Sequence, residues 1–304
     1  MEITASMVKE LRESTGAGMM DCKKALTESD GDMELAVDIL RTKGLADLAK
    51  KAGRATHEGI IGSFINDDLR VGTILEINCE TDFVARNDDF KSFVTSIAKH
   101  IVATAPADVS ALLGQAYTGR EDITVEQYLG ENVAKIGENL VVARFARFEL
   151  SSEAGAIGAY IHGVGNIGVL VEVAAGIADA ALSPEFGGFV KDVAMQIAAA
   201  APIALSADQV PAEVVEHEKS IYMAQAAETG KPEPIQVKIA EGRLQKFFKE
   251  VCLVEQIFVK DPDITIAQLT DRLGLTLGTD IKIVRFARFV LGETNPEAKP
   301  ATCG

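Results

Sequence analysis

Four histidines, four cysteines and two glycine-rich runs are the places where this chain could carry chemistry. His57, His100, His162 and His217 each lack a second His or Cys at ligand spacing, so no metal site is expected. Cys22, Cys79, Cys252 and Cys303 are far apart and form no CxxC, which excludes a disulfide framework and a zinc site. No Gly-x-Ser-x-Gly run supplies a hydrolase nucleophile. Gly163-Val164-Gly165-Asn166-Ile167-Gly168 fits the dinucleotide fingerprint, but that motif must open a helix whose N-terminus meets the pyrophosphate. Here Val169 to Val173 follows, a strand, so the glycines read as a hairpin turn. His162, just before them, reads first as an ordinary hairpin-end residue, with a contact role left open. Thr229-Gly230-Lys231 resembles the end of a phosphate loop, but Pro232 takes the Ser/Thr place and Gln225 the place of the first glycine. No cofactor and no catalytic residue follow from these motifs, so the chain does not read as an enzyme.

The elements that must position any working residue are duplicated. Asp89-Phe90-Lys91-Ser92-Phe93-Val94 returns as Glu185-Phe186-Gly187-Gly188-Phe189-Val190, an offset of 96 that holds from Gly72/Gly168 to Pro106/Pro202. Arg144-Phe145-Ala146-Arg147-Phe148 returns as Arg285-Phe286-Ala287-Arg288-Phe289, an offset of 141. Their difference places an insertion of 45 residues between Pro202 and Asp263. Glu76 and Glu172 are equivalent; a carboxylate pair can do acid–base work, but duplication makes them scaffold. The alternation of Arg and Phe in the RFARF strands predicts Phe inward and Arg outward. One short run differs between the copies. Thr81-Asp82-Phe83 becomes Ile177-Ala178-Asp179. Thr81 or Asp82 can cap a short helical turn that presents Phe83 outward, or Phe83 can pack inward; the local pattern leaves both open.

Periodicity organises the rest as an α+β protein. Residues 1–54 read as three short helices: one capped by Thr4, one with Met19, Cys22, Ala25 and Leu26, and one capped by Asp32 that ends near Gly44. Residues 49–53 read as a solvated linker. Residues 55–150 form the first copy: two strands, a helix over 88–104 with the stripe Phe90, Phe93, Val94, Ile97 and Ile101, a helix over 124–135 and a closing strand. Residues 151–202 and 251–292 form the second copy. Residues 203–250 read as an antiparallel helical hairpin turning at Gly230-Lys231-Pro232-Glu233-Pro234, with an apolar stripe to cover against another protein or a second copy of the chain, as a homodimer. Residues 293–304 read as a flexible tail.

Composition sets outer limits. The net charge of −15 argues against a nucleic-acid partner, whose binding draws on Lys and Arg against phosphate. No apolar run reaches the ~20 residues that span a bilayer, and no secretory pattern opens the chain, so a cytoplasmic protein without a membrane partner is expected.

Three runs carry a resemblance: Ile3-Thr4-Ala5-Ser6 through Thr15-Gly16-Ala17-Gly18-Met19-Met20-Asp21-Cys22-Lys23-Lys24-Ala25-Leu26, then Asn78-Cys79-Glu80-Thr81-Asp82-Phe83-Val84-Ala85, then Ala134-Lys135-Ile136-Gly137-Glu138-Asn139. Together they resemble the elongation factor Ts family over about 1–292. The resemblance implies a ubiquitin-associated-like N-terminal three-helix module and two related α+β core subdomains. It also implies a guanine-nucleotide exchange factor for elongation factor Tu, met in its GDP-bound or nucleotide-free form. In that family the Thr-Asp-Phe loop enters near the partner's magnesium and nucleotide, which points to Thr81, Asp82 and Phe83. Met19, Met20 and Lys23, then His162 and Val259, match further partner contacts. Some members end in a further helix, where this chain has Asn295-Pro296-Glu297-Ala298-Lys299-Pro300. A non-exchanging adaptor that binds through the N-terminal helices is the alternative.

Overall fold

The computed structural model describes residues 3–293; the expected tail lies outside them, apart from Glu293. Three helices come first: α1 (Ala5–Thr15), α2 (Met19–Glu28) and α3 (Met33–Lys51). Thr4 caps α1 by accepting from the Met7 N–H, and Asp32 caps α3 by accepting from the Leu35 N–H. Leu11, Cys22, Leu26 and Ala36 form their small core.

The third helix runs past its expected end. Gly44 does not stop it, and residues 49–51 are helical rather than linker. The reason is a crossing with a later helix. A methyl on Gly44 would sit 3.1 Å from the Gly130 carbonyl carbon, and one on Gly130 would sit 3.0 Å from that of Gly44. Glycine here permits close backbone approach, and packing outweighs its poor helix propensity of about 1 kcal/mol.

The first copy then runs β1 (Glu58–Ile65), β2 (Val71–Cys79), α4 (Asp82–Arg86), α5 (Asp88–Thr104), α6 (Val109–Gly114), β3 (Ala116–Tyr117), β4 (Arg120–Thr124), α7 (Val125–Ile136) and β5 (Val141–Glu149). The second runs β6 (Ala154–His162), β7 (Ile167–Ala175), α8 (Ala178–Ala181), α9 (Pro184–Ala200), the inserted α10 (Ala212–Ala227) and α11 (Glu233–Val251), then β8 (Ile257–Phe258), β9 (Asp261–Thr265), α12 (Ile266–Leu277) and β10 (Ile281–Val290). The antiparallel sheets have matching orders, β1-β2-β5 and β6-β7-β10. The glycine run 163–168 joins β6 to β7 with Gly163 and Gly165 at positive φ, a hairpin turn and not a cofactor cradle.

Each sheet has two covered faces. One packs on its own long helix through the expected stripes, around Phe90, Phe93 and Ile97 in the first copy and Phe186, Phe189 and Ile197 in the second. The other packs on the opposite sheet around Ile61, Ile74, Phe148, Ile157 and Leu170. The contacts between the copies are reciprocal. The Ile61 N–H donates to the Gly165 carbonyl at 2.8 Å and the Ile157 N–H to the Leu69 carbonyl at 2.7 Å. Within each copy an equivalent bond recurs, from the Leu150 N–H to the Arg70 carbonyl at 2.7 Å and from the Leu291 N–H to that of Asn166 at 2.9 Å.

This two-sided burial corrects the reading of the RFARF strands. Phe145 and Phe148 are three residues apart and so lie on opposite faces. Phe145 joins the helix-side core and Phe148 the core between the sheets. Arg144 keeps only 20 % of its side chain in solvent, whereas Arg285 keeps 44 % and does lie partly outward. A bulge sits at the same place in both copies and sets Arg144 opposite Glu76 and Arg285 opposite Glu172. Arg144 Nε donates to Glu76 at 2.8 Å, and its guanidinium lies 4.1 Å from the Phe289 ring centroid of the other copy. Arg285 Nε donates to Glu172 at 2.6 Å and lies 4.4 Å from the Phe148 ring centroid. Both carboxylates are fully buried and also accept backbone N–H groups, Glu76 from Gly292 and Glu172 from Ser151. They are structural ion pairs.

Candidate functional site

Strand β2 ends at Cys79, and the chain turns at once into α4. Thr81 is its N-cap, and its hydroxyl faces the Val84 N–H at 3.4 Å. Asp82 opens the helix and pairs with Arg86 across one turn at 3.1 Å. Phe83 is 82 % exposed, which settles the choice that local pattern left open. The buried side of this five-residue helix is held instead by Ala85 and Val84 on the core of the first copy.

A second run pins the loop from outside. Glu138 Oε2 accepts the N–H groups of Glu80 and Thr81 at 3.0 Å each, and Oε1 accepts the Thr81 hydroxyl at 2.6 Å. The Asn139 N–H donates to Glu80 Oε1 at 2.6 Å, and its side-chain amide donates to the Arg54 carbonyl at 3.0 Å. The Arg54 guanidinium reaches Glu80 at 3.2 Å. Burial, with the Glu138 charge nearby, pushes the Cys79 thiol up to about 12, and the thiol donates to the Thr81 carbonyl. Cys79 is therefore a neutral packing residue and not a nucleophile. Glu80, Glu138, Asn139 and Arg54 received no role in the sequence reading. Glu138 and Asn139 do fall in one of the family-like runs, and this geometry joins that run to the one that carries Thr81, Asp82 and Phe83.

The other expected contact residues occupy separate elements. Met19 and Met20 open α2 and are 59 % and 64 % exposed, with Lys23 exposed one turn on. With Ile3, Val8 and Arg12 they line a shallow apolar surface between α1 and α2. The preceding turn rests on the end of α7, where a methyl on Gly16 would lie 3.7 Å from Lys135 Cδ. Lys135 in turn reaches Asp89, just past α4, at 3.0 Å, so this turn and the Phe83 loop share one end of the first copy. His162 ends β6, is exposed, and its Nδ1 lies 3.1 Å from the Tyr160 hydroxyl. The turn after it packs on Ile60 and Ile61 of β1. Val259 is 54 % exposed on the β8–β9 turn, its N–H held by Gln196 at 2.8 Å. No hydrogen bond or ion pair among the described residues joins Val259 to the loop. No cluster of potential metal ligands occurs among the described residues. None of their helices is long and apolar enough to cross a membrane.

The family model described as Elongation factor TS matches residues 80–293, a span that begins at the Glu80 clamp. The chain is 50% identical to "Elongation factor Ts" of Trichlorobacter lovleyi over 96% of its own length and 94% of that protein. It is 52% identical to the protein of that name from Clostridioides difficile, over 96% of this chain and 93% of the relative. This chain belongs to the elongation factor Ts family. Its place is accordingly in translation elongation.

Proposed function

We propose that the chain is a guanine-nucleotide exchange factor that binds elongation factor Tu and promotes GDP release, with the Thr81-Asp82-Phe83 loop entering near the partner's magnesium and nucleotide. The observation that carries this reading is Phe83, a large apolar side chain left in solvent on a helix that is itself anchored. Exposure of a single aromatic on a firm base suits a wedge. An exchange factor forms no bonds; whatever affinity it takes from the nucleotide, the nucleotide takes from it. Nucleotide grip on such a partner comes largely through the metal and phosphate-cradling amides, so a wedge there has leverage. Asp82 would compete for polar groups nearby. Met19, Met20 and Lys23 would dock the N-terminal helices on the same partner, and His162 and Val259 would extend the contact along the second copy.

The working units of this reading are an N-terminal ubiquitin-associated-like module (1–54), a first core subdomain (55–150), a second one (151–202 with 251–292) and the inserted hairpin (203–250). The hairpin keeps Ile235 and Val237 exposed, which supports a contact there with another protein or a second copy of the chain. A cytoplasmic setting goes with the role in translation.

The test is release of a fluorescent GDP from elongation factor Tu. Phe83→Ala should slow stimulated release at least tenfold while leaving the thermal transition of the factor nearly unchanged, since an exposed side chain adds little to stability. Unchanged release would sink the wedge. The exposed Met19–Met20 surface keeps a second reading in play, an adaptor that binds without exchange. In that case the wild-type chain would bind the partner yet leave GDP release at its unstimulated rate.

A further inference from the structure

We propose that Glu138 is the positioning residue of the exchange loop, with Asn139 as its second hand; the inference rests on the exchange reading above. Helix α4 has only five residues, and an isolated helix of that length does not hold itself in water. Phe83 projects into solvent from its first turn and has no packing of its own to fix its direction. Val84 and Ala85 seat the helix on the core, and its direction is then fixed by whatever holds the residues that start it. Those are Glu80 and Thr81, and the Glu138 carboxylate takes both of their N–H groups together with the Thr81 hydroxyl proton. Because that proton goes to Glu138, the Thr81 oxygen turns a lone pair to the Val84 N–H, which completes the cap. Asn139 returns the exchange by donating to the Glu80 carboxylate, so the two segments grip each other from both sides.

The second copy is an internal control. The positions of Glu80, Thr81, Glu138 and Asn139 hold Gly176, Ile177, Thr279 and Asp280. Only a backbone bond remains, from the Gly176 N–H to the Asp280 carbonyl, and α8 has no side-chain cap. Aromatic and clamp are present together in one copy and absent together in the other. A wedge that is already aimed loses less freedom on meeting its partner, so the clamp raises productive encounters.

The test is a double-mutant cycle on the full-length factor with fluorescent GDP on elongation factor Tu, joined to amide hydrogen exchange across 80–86. Glu138→Ala should speed amide exchange in α4 at least tenfold and lower stimulated GDP release about tenfold at low factor concentration, with part of the loss recovered at saturation. Glu138→Gln keeps one acceptor and should fall between. In a Phe83→Ala background the same change should add less than a twofold further loss, because Glu138 acts through Phe83. Unchanged amide exchange in α4, or an equal loss in both backgrounds, would overturn the proposal. If Glu138→Ala fails to fold, Thr81→Val removes the hydroxyl bonds at similar volume and is read by the same two measurements. If Phe83→Ala alone leaves release intact, the exchange reading fails, and amide exchange still judges whether Glu138 orders the loop.

Discussion

After β2 the first copy runs Glu80-Thr81-Asp82-Phe83, and after β7 the second runs Gly176-Ile177-Ala178-Asp179. The strands before these loops pair alike, the helices after them bury the same stripe, and the capping box of α7 (Thr124 with Gln127) recurs in α12 (Thr265 with Gln268). Where the two sheets meet, the central contacts have mates related by the duplication, down to the Arg–Glu pair and the ring across from it. A residue in that interface is constrained from both sides, because changing it also disturbs its counterpart's surroundings. The loops pack on the helix-side core of their own copy, take no part in the core between the sheets, and carry no such constraint. One copy could thus acquire a wedge and a clamp without cost to the joint fold.

The largest effect should come from breaking what the copies share. Burial raises the Glu172 carboxyl, but the bonds from Ser151 and the Arg285 guanidinium outweigh it and hold the group below the usual carboxylate range. A folded value below the unfolded one gives stability that is present above about pH 4.5 and lost as pH falls through the folded value. Glu172→Ala leaves the Ser151 N–H and hydroxyl without their acceptor and the half-exposed Arg285 without its partner, and should cost about 1–3 kcal/mol in urea denaturation. Glu76→Ala should cost at least as much, because its partner Arg144 is more buried and the Asn78 amide and Gly292 N–H also lose their acceptor. If one of the two substitutions is nearly neutral, the reciprocity is only geometric.

Much of the shared fold was legible because repetition and periodicity are local in sequence. The offset of 96, the Phe stripes and the inserted hairpin needed no tertiary knowledge. The faces of the RFARF strands were not legible. Alternation gives two faces but does not say that both are covered, and here a second sheet covers the one that would otherwise be solvent. Gly44 misled in the same way: a glycine that ends a helix and one that admits another backbone look identical until Gly130 is in place. Phe83 stood out by its absence from the second copy, but its exposure depended on Val84 and Ala85 taking the buried side. Glu138 lies 57 residues from Thr81, and no spacing rule links them.

The helices α7 and α12 sharpen the comparison on a middle scale. The first carries Gly130 against α3, and at the equivalent place the second carries Asp271, beside an open surface lined by Gly274, Leu275 and Thr279. Gly130→Ala should gain about 1 kcal/mol of helix propensity but lose about 1–3 kcal/mol to overpacking, because both neighbours of the new methyl are backbone. The net change should be a loss of up to about 2 kcal/mol, with faster amide exchange in α3. Asp271→Ala, on the open helix, should show no loss. A stabilised Gly130→Ala would mean that α3 can shift outward by a few tenths of an ångström at no cost.

The smallest effect concerns a buried group that the copies fill differently. His100 is fully buried on α5, its Nε2 3.1 Å from Gln115 Oε1, while Nδ1 takes the Thr118 N–H at 3.2 Å. That acceptor role leaves the proton on Nε2 and the ring neutral. The second copy draws the same pattern with Gln196, whose amide donates to Gln256 Oε1 at 3.1 Å and whose oxygen takes the Val259 N–H at 2.8 Å. Burial lowers the His100 pKa below 6.5, with the Gln115 bond opposing it. The unfolded chain therefore binds a proton that the folded one refuses; stability is full above about pH 6.5 and falls on acidification, by at most about 1.4 kcal/mol per pH unit for this one group. His100→Gln imports the arrangement of the second copy. It should fold, keep its stability at pH 7 to within about 1 kcal/mol, and lose measurably less than the wild type between pH 7 and pH 5 in urea titrations. Equal slopes in the two proteins would mean that His100 stays uncoupled from folding over that range, and that the histidine and the glutamine are interchangeable in charge as well as in shape.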